Sequence, residues 1–214
     1  MRAVIFANGV IENFDRARAA AESADLVMAA DGGTEHGLRL GVIPEIVIGD
    51  LDSLDAEDRL ALESDGTEFI QHPADKDQTD LELALLYALS RGVDKIIILG
   101  AMGGRLDMTL ANLQLLALPE LSAAQVELWH AEQTAWLIRP PGGPILGKPG
   151  DLVSLIPMGG NASGITSQDL QYSLIDETLD LGPARGISNV VSGPNPNVEM
   201  HSGTLLVVHT RGVA

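Results

Sequence analysis

Apolar and polar positions follow two different rhythms along this chain. From the N-terminus, short continuous apolar runs are separated by segments with helical spacing. Ala3–Ala7, Leu26–Ala30, Ile46–Ile48, Glu68–Ile70 and Lys95–Leu99 read as strands. The unbroken Ile96-Ile97-Ile98-Leu99 marks a strand buried on both faces. Between these runs, Asp15–Ser23, Thr34–Leu40, Asp55–Glu63, Leu81–Ser90 and Leu106–Leu118 read as helices. Such alternation predicts a Rossmann-like α/β domain with a mostly parallel sheet. Near Pro119 the rhythm changes. Val126–His130 and Ala135–Ile138 read as strands, and proline and glycine then crowd Pro140–Gly150. Beyond lie short strand-like runs and turn signals at Leu152–Ile156, Gly182–Pro183, Gly193–Pro196 and Thr204–His209, with no long helical pattern. The expected architecture is an α/β domain over residues 1–122 and an all-β sandwich or barrel over residues 123–214.

Composition sharpens this picture in three places. Apolar residues make up 45% of the 214 but aromatics only 3%, so Leu, Ile, Val and Ala must fill the core. Cysteine is absent, which excludes disulfides, zinc-thiolate sites and cysteine nucleophiles. The formal net charge of −17 opposes binding to nucleic acid or to anionic membrane surfaces, yet permits a nucleotide carried with a metal ion. The N-terminal apolar run is too short for a signal peptide, and no run approaches membrane-spanning length. A cytoplasmic protein without a membrane partner is the expectation.

Four acidic or glycine-rich segments each follow a predicted strand. They are Asp31-Gly32-Gly33, Gly49-Asp50-Leu51-Asp52-Ser53, Asp75-Lys76-Asp77-Gln78-Thr79-Asp80-Leu81-Glu82, and Gly100 through Asp107 with Gly103-Gly104-Arg105 at its centre. Strand ends of a parallel sheet share one edge, where such sheets bind ligands, so the four loops are expected to converge on one cleft. In an extended chain Asp50 and Asp52 project the same way. Two such carboxylates repel unless a cation lies between them, and an oxygen-only donor set suits a hard ion, most often Mg²⁺ held with substrate phosphates.

Each segment also has a plainer structural reading. A lone Asp-x-Asp reads equally as a solvated acidic turn. Asp31-Gly32-Gly33 reads as a helix entry, or as glycines that let backbone amides approach an anion or nucleotide ring. Thr79 and Glu82 fit a capping box at the start of a helix, and Asp80 suits its dipole. Asp75 and Asp77 flanking Lys76 are left outside that account, and Lys76 is one of only three lysines. Gly103-Gly104-Arg105 before a helix has the shape of a phosphate loop, with Arg105 able to bind phosphate bidentately. It lacks the Gly-Lys-Ser/Thr of a Walker A motif. The five histidines show no metal-ligand spacing, and Ser53 and Ser154 lack a Gly-x-Ser-x-Gly context.

In their joint order, these segments resemble the thiamine pyrophosphokinase family over essentially the whole chain. Asp169-Leu170-Gln171-Tyr172 and Gly186-Ile187-Ser188-Asn189 extend the resemblance to the C-terminal part. The resemblance implies transfer of a pyrophosphoryl group from ATP to the hydroxyl of thiamine, giving thiamine diphosphate and AMP, by a homodimer. It implies that Asp50, Asp52 and Asp80 hold Mg²⁺ with Asp77 nearby, that Lys76 and Arg105 neutralise phosphate charge, and that Asp107 orders the site. Asp31, Gly32, Gly33, Asp75, Thr79, Gly103 and Gly104 fall on the ATP side. Tyr172, Ser188 and Asn189 match positions lining the thiamine pocket at the dimer interface. Departures from the family pattern stand at Met108, Asp169 and Val190-Val191. The general base is open between Asp77 and Asp107. Alternatives are a pyrophosphokinase for a hydroxymethylpterin-type acceptor, a metal-dependent phosphohydrolase, and a non-catalytic nucleotide-binding protein.

Overall fold

The computed structural model describes residues 1–212. The chain divides into two compact units, Met1–Ala131 and a second from Glu132 onward. In the first, strands β1 (Arg2–Phe6), β2 (Leu26–Ala30), β3 (Ile46–Gly49), β4 (Glu68–Gln71), β5 (Lys95–Leu99) and β6 (Gln125–His130) alternate with helices α1 (Phe14–Glu22), α2 (Thr34–Leu40), α3 (Ala56–Ser64), α4 (Asp80–Ser90) and α5 (Leu106–Leu115). All neighbours pair in parallel, in the order β6-β5-β1-β2-β3-β4. Strands β1, β2, β3 and β5 are buried almost end to end, which explains their unbroken apolar runs. Edge strand β4 is exposed at both ends and correspondingly more polar.

Local chemistry sets the helix starts. Asn13, Asp55 and Thr79 cap α1, α3 and α4, each accepting from a main-chain N–H of the first turn. Helix α4 buries Leu81, Ala84, Leu85 and Ala88, a single stripe at helical spacing. The short 3₁₀ segment Pro119–Ala123 returns the chain to the sheet as β6, so the change of rhythm near Pro119 comes before the division between units.

The strand order reverses at β1. The chain steps outward through β2, β3 and β4, then returns to place β5 on β1's other side. Such a reversal leaves a crevice at the carboxyl ends of the strands on either side of it.

Among the described residues, the regular structure of the second unit is all strand. Strands β7 (Gln133–Ile138), β9 (Leu152–Pro157), β12 (Asn189–Val190) and β14 (Leu205–Thr210) form one antiparallel sheet. Strands β8 (Gly142–Pro144), β10 (Ala162–Gln168), β11 (Glu177–Leu179) and β13 (Asn197–Glu199) form another. Inward residues of both, among them Trp136, Val153, Leu155, Ile165, Val198 and Val207, share one core. The expectation of a parallel α/β layer with a separate β-rich part therefore holds. Strands β8, β10, β11 and β13 escaped the sequence reading because Gly, Ser, Thr, Asn and Glu dominate them. No helix among the described residues is long and apolar enough to cross a membrane.

Candidate active site

A cleft of about 530 Å³ opens in the first unit, at the strand reversal. Its lining comes from the loops after β1 (Ala7–Gly9), β2 (Asp31), β3 (Asp50), β4 (Ala74, Lys76, Gln78) and β5 (Gly100–Arg105), and from the starts of α4 and α5. The four expected loops thus converge, and a fifth, after β1, joins them.

Asp31, Asp50 and Asp52 each offer a carboxylate oxygen, and these oxygens all lie within 4.8 Å of one another. They meet by turns rather than by the extended geometry expected. Leu51 is left-handed, with φ 66°, and the Asp52 N–H donates to Asp50 Oδ1 at 3.2 Å. Asp31 is also left-handed, with φ 43°, a conformation that Asp tolerates better than most residues. Gly49 permits the approach of the two loops: a Cβ there would stand 2.8 Å from Asp31 Cβ. Gly33 is buried, and a Cβ there would collide with the Phe6 carbonyl, so the turn packs against β1 only with glycine at this position. The Ser53 hydroxyl donates to Asp31 Oδ2 at 2.5 Å and also lies 3.3 Å from Asp52 Oδ1. Asp31 Oδ1 is buried without a hydrogen-bond partner. An all-oxygen trio with one oxygen desolvated and unpaired fits a hard divalent cation.

Also lining the cleft, Lys76 has its ammonium 2.9 Å from Asp80 Oδ1 and donates to the Pro73 carbonyl at 3.1 Å. Asp80 is therefore engaged by Lys76 and stands outside the trio. Thr79 lines the cleft, and its hydroxyl caps α4 by accepting from the Glu82 N–H at 3.2 Å. Asp75 and Asp77 are exposed and do not line the cleft. On the opposite wall, Gly103 and Gly104 lead to Arg105, whose guanidinium grips Asp107 through Nε (3.2 Å) and an Nη (2.6 Å). That bond holds the Asp107 carboxyl below its usual range and raises the guanidinium. Both side chains are exposed at the rim, where water screens the pair.

Asn8, Gly9, Gln78, Met102, Thr109 and Asn112 also line the cleft and were not singled out. Asn8 and Gly9 follow the first strand, and the signal that finds them is topological: the strand order reverses there.

In the second unit, Asn189 and Tyr172 are tied to each other. The buried Asn189 carboxamide accepts from the Tyr172 N–H (2.9 Å) and donates to the Tyr172 carbonyl (2.7 Å). This leaves the Tyr172 side chain 62% exposed. Ser188 is left-handed, with φ 57°, and its N–H donates to Ser154 Oγ at 3.1 Å. Asp169 is left-handed as well, and its Oδ2 accepts from the Asn195 N–H at 2.8 Å, so this departure from the family pattern organises the turn at Gly193–Asn195.

This geometry defines the class first: an α/β protein whose ligand cleft lies beyond the carboxyl ends of a parallel sheet, with a carboxylate cluster on one wall and a glycine loop on the other. Comparison with known proteins takes the assignment further. Residues 17–128 match the family model described as thiamin pyrophosphokinase, catalytic domain, and residues 144–205 match thiamin pyrophosphokinase, vitamin B1 binding domain. A thiamine pyrophosphokinase of Bacillus subtilis is 30% identical over 187 residues, covering 86% of this chain and 87% of the relative. A crystal structure of Bacillus subtilis thiamine pyrophosphokinase superposes with a TM-score of 0.86 at 27% identity, over 100% of both chains. The Candida albicans thiamin pyrophosphokinase structure, at 18% identity, shares the fold with a TM-score of 0.83, covering 98% of this chain and 88% of its own. This chain belongs to the thiamine pyrophosphokinase family, whose members are ATP-dependent diphosphotransferases.

Proposed function

We propose that this chain transfers the pyrophosphoryl group of ATP to the thiamine hydroxyl, releasing AMP, with Mg²⁺ as its metal. The carboxylate trio Asp31, Asp50 and Asp52, oxygens within 4.8 Å beside a cleft of about 530 Å³, is the observation that carries the reading. These three residues would hold the ion. Compared with the sequence reading, Asp31 joins the metal set. When bound, a divalent cation neutralises the polyphosphate and polarises its P–O bonds.

The remaining steps belong to the chain's own groups. Transfer of this kind depends on positioning and on charge neutralisation. Lys76, close to Asp80, brings a positive charge to the cleft in a protein of net charge −17. Arg105 stands at the other side, and a phosphate arriving there competes with Asp107 for the guanidinium. Amides of the Gly103-Gly104 loop ahead of α5 suit an anion. The acceptor hydroxyl attacks the β-phosphorus in line, AMP leaves, and the hydroxyl proton passes to a carboxylate at the cleft.

The second unit supplies the acceptor side. Tyr172 presents an open aromatic face for the thiazolium or pyrimidine ring, while Asn189 shapes the loop that presents it. Tyr172, Ile175, Leu181 and Ile187 are exposed on this unit, and that apolar surface supports a homodimer whose acceptor pocket is shared between subunits.

Supplying ATP, Mg²⁺ and a panel of hydroxymethyl heterocycles, with AMP and diphosphorylated product quantified, tests the activity. Thiamine diphosphate with equimolar AMP is expected, and a chelator abolishes both. ADP with a singly phosphorylated acceptor would refute the reading, and phosphate release without any acceptor would favour a phosphohydrolase. Tyr172→Ala is expected to raise KM for thiamine about 10-fold, as loss of a stacking or cation–π contact predicts, with KM for ATP little changed. Mixed with Asp52→Asn protein, it recovers activity in heterodimers if one subunit's Tyr172 serves its neighbour's trio. Verified heterodimers without recovery would dismiss the shared pocket.

A further inference from the structure

We infer that His36 is a positioning residue for the phosphate donor, acting through the main-chain carbonyl of Gly9 at the floor of the cleft. The inference rests on the nucleotide reading of this cleft. Helix α2 begins directly after the Asp31–Gly33 turn, so His36 stands on the helix that follows the turn carrying Asp31. Its Nε2 lies 2.7 Å from the Gly9 carbonyl. A carbonyl only accepts, so Nε2 carries the proton and the ring is the donor.

What the ring holds is the junction of two cleft loops. The Gly9 N–H donates to the Gly100 carbonyl at 2.6 Å, and the Val10 N–H to the Met102 carbonyl at 2.6 Å. Gly9, Gly100 and Met102 all line the cleft. The two loops meet main chain to main chain, because a Cβ on Gly9 would strike the carbonyls of both Gly100 and Met102. A tilt of the Gly9 peptide therefore passes directly to the loop that carries Gly103, Gly104 and Arg105. The ring also abuts that loop: a Cβ on Gly100 would sit 3.4 Å from His36 Cδ2.

A purely space-filling role does not explain a histidine here. Its Nδ1 is buried without a partner, so the residue keeps an unsatisfied polar atom that an apolar side chain would avoid. The same pattern recurs across the floor. From α5, Asn112 donates through Nδ2 to the Ala101 carbonyl at 2.7 Å while its Oδ1 stays buried and unpaired. Two helices thus each lend one donor to one floor carbonyl, and each leaves its acceptor end orphaned. The shared feature is the donor bond, and its product is the fixed orientation of the floor on which the nucleotide end of the substrate lies.

The test compares His36→Leu, His36→Phe and His36→Gln with wild type, using steady-state kinetics for both substrates, calorimetric binding of a non-hydrolysable ATP analogue, and thermal melting. Leu and Phe remove the donor, Phe keeping the ring's bulk, and Gln can restore an N–H to the Gly9 carbonyl. Both apolar variants are expected to raise KM for ATP at least about 5-fold and to weaken the analogue in parallel, with KM for thiamine within about 2-fold of wild type. His36→Gln is expected to recover most of the loss. An unchanged KM for ATP, an equal rise for both substrates, or a Gln variant no better than Leu overturns the inference. If both apolar variants fail to fold while Gln folds, the bond is structural and the inference also falls. Absence of thiamine diphosphate from the wild type would overturn the functional reading instead, and analogue binding by the variants would still decide the role of His36.

Discussion

Two carboxylates, one in each unit, are treated in opposite ways. Asp151, in the β unit, has every oxygen engaged: Oδ2 accepts from the Lys148 N–H (3.0 Å) and from His209 Nε2 (2.8 Å), and Oδ1 from the Gly212 N–H (3.0 Å). Asp31, in the α/β unit, is left-handed, has one oxygen bonded to Ser53, and has the other buried with no partner. A group present for stability is surrounded by donors. A group left half-satisfied beside two more carboxylates is placed as the proposed metal site requires. Buried polar atoms are satisfied so generally that an orphaned one calls for an explanation, and an ion at the trio would supply it. The contrast separates the acids of this chain more cleanly than composition does, since all thirty acidic residues look alike in the sequence.

The sharpest way to break the contrast is to neutralise one acid of the trio. Asp50→Asn is expected to lower kcat/KM by roughly 1,000-fold, the scale expected when a metal ligand of a phosphoryl-transfer site is lost. Its melting temperature is expected to hold or rise slightly, because removing one charge relieves repulsion among oxygens within 4.8 Å. Activity near wild type, or a fall in melting temperature as large as the Asp151 variant's, would erase the distinction between the two carboxylates.

Asp151→Ala should do the reverse. It strips three donors of their acceptor and leaves His209 buried without its partner, a change of a kind that destabilises by about 2 kcal/mol. Urea unfolding measures that loss, and kcat/KM of the protein that remains folded is expected within about 2-fold of wild type. The pH dependence has a definite sign. Burial pushes the Asp151 carboxyl up, but hydrogen bonds from Gly212, His209 and Lys148 together outweigh it and bring its pKa to about 2. A carboxyl depressed in the folded state stabilises the protein above its unfolded pKa of about 3.8, and that stabilisation is lost as pH falls toward about 2. The stability gap between wild type and Asp151→Asn should therefore shrink as pH falls from about 5 toward about 2. A gap that stays constant to pH 2 would show that the lowered pKa is not the source.

Much of the trio's neighbourhood was legible in the sequence because strand ends are legible. Apolar runs located β2, β3 and β5, a parallel sheet has one carboxyl edge, and the acids after each run had to meet there. What was not legible depends on details of backbone direction. Leu51 takes a left-handed turn where extended geometry was expected, and the Asp50 and Asp52 oxygens come within 4.8 Å of one from Asp31. Asp80 lies against Lys76, a pairing between residues a helical turn apart that the acidic run concealed. Asn8, Gly9 and Asn112 carry no motif, and only the strand order brings them to the floor. In the β unit, Asn189 matched an acceptor-site pattern, but its carboxamide holds the Tyr172 backbone, a role that sequence does not reveal.

The finest test of the comparison lies in the one bond that Asp31 does make. Ser53 donates to Asp31 Oδ2 at 2.5 Å and is exposed at the mouth of the trio. Ser53→Ala removes that donor and leaves the carboxylate with none, carrying Asp31 further from the fully satisfied state of Asp151. If the hydroxyl serves to aim the carboxylate at an ion, the loss appears in the concentration of Mg²⁺ needed for half-maximal rate. A net hydrogen bond to a charged group contributes about 1.5 kcal/mol at the low end of its range, the end that suits a bond this exposed, so a rise of roughly 10-fold in that concentration is expected. At saturating Mg²⁺ the rate should return close to wild type, and the melting temperature should not fall. If instead the hydroxyl stabilises the fold as the donors around Asp151 do, Ser53→Ala would melt earlier and show no shift in its Mg²⁺ requirement. That result would place both carboxylates in the same class and remove the reason for reading Asp31 as a ligand.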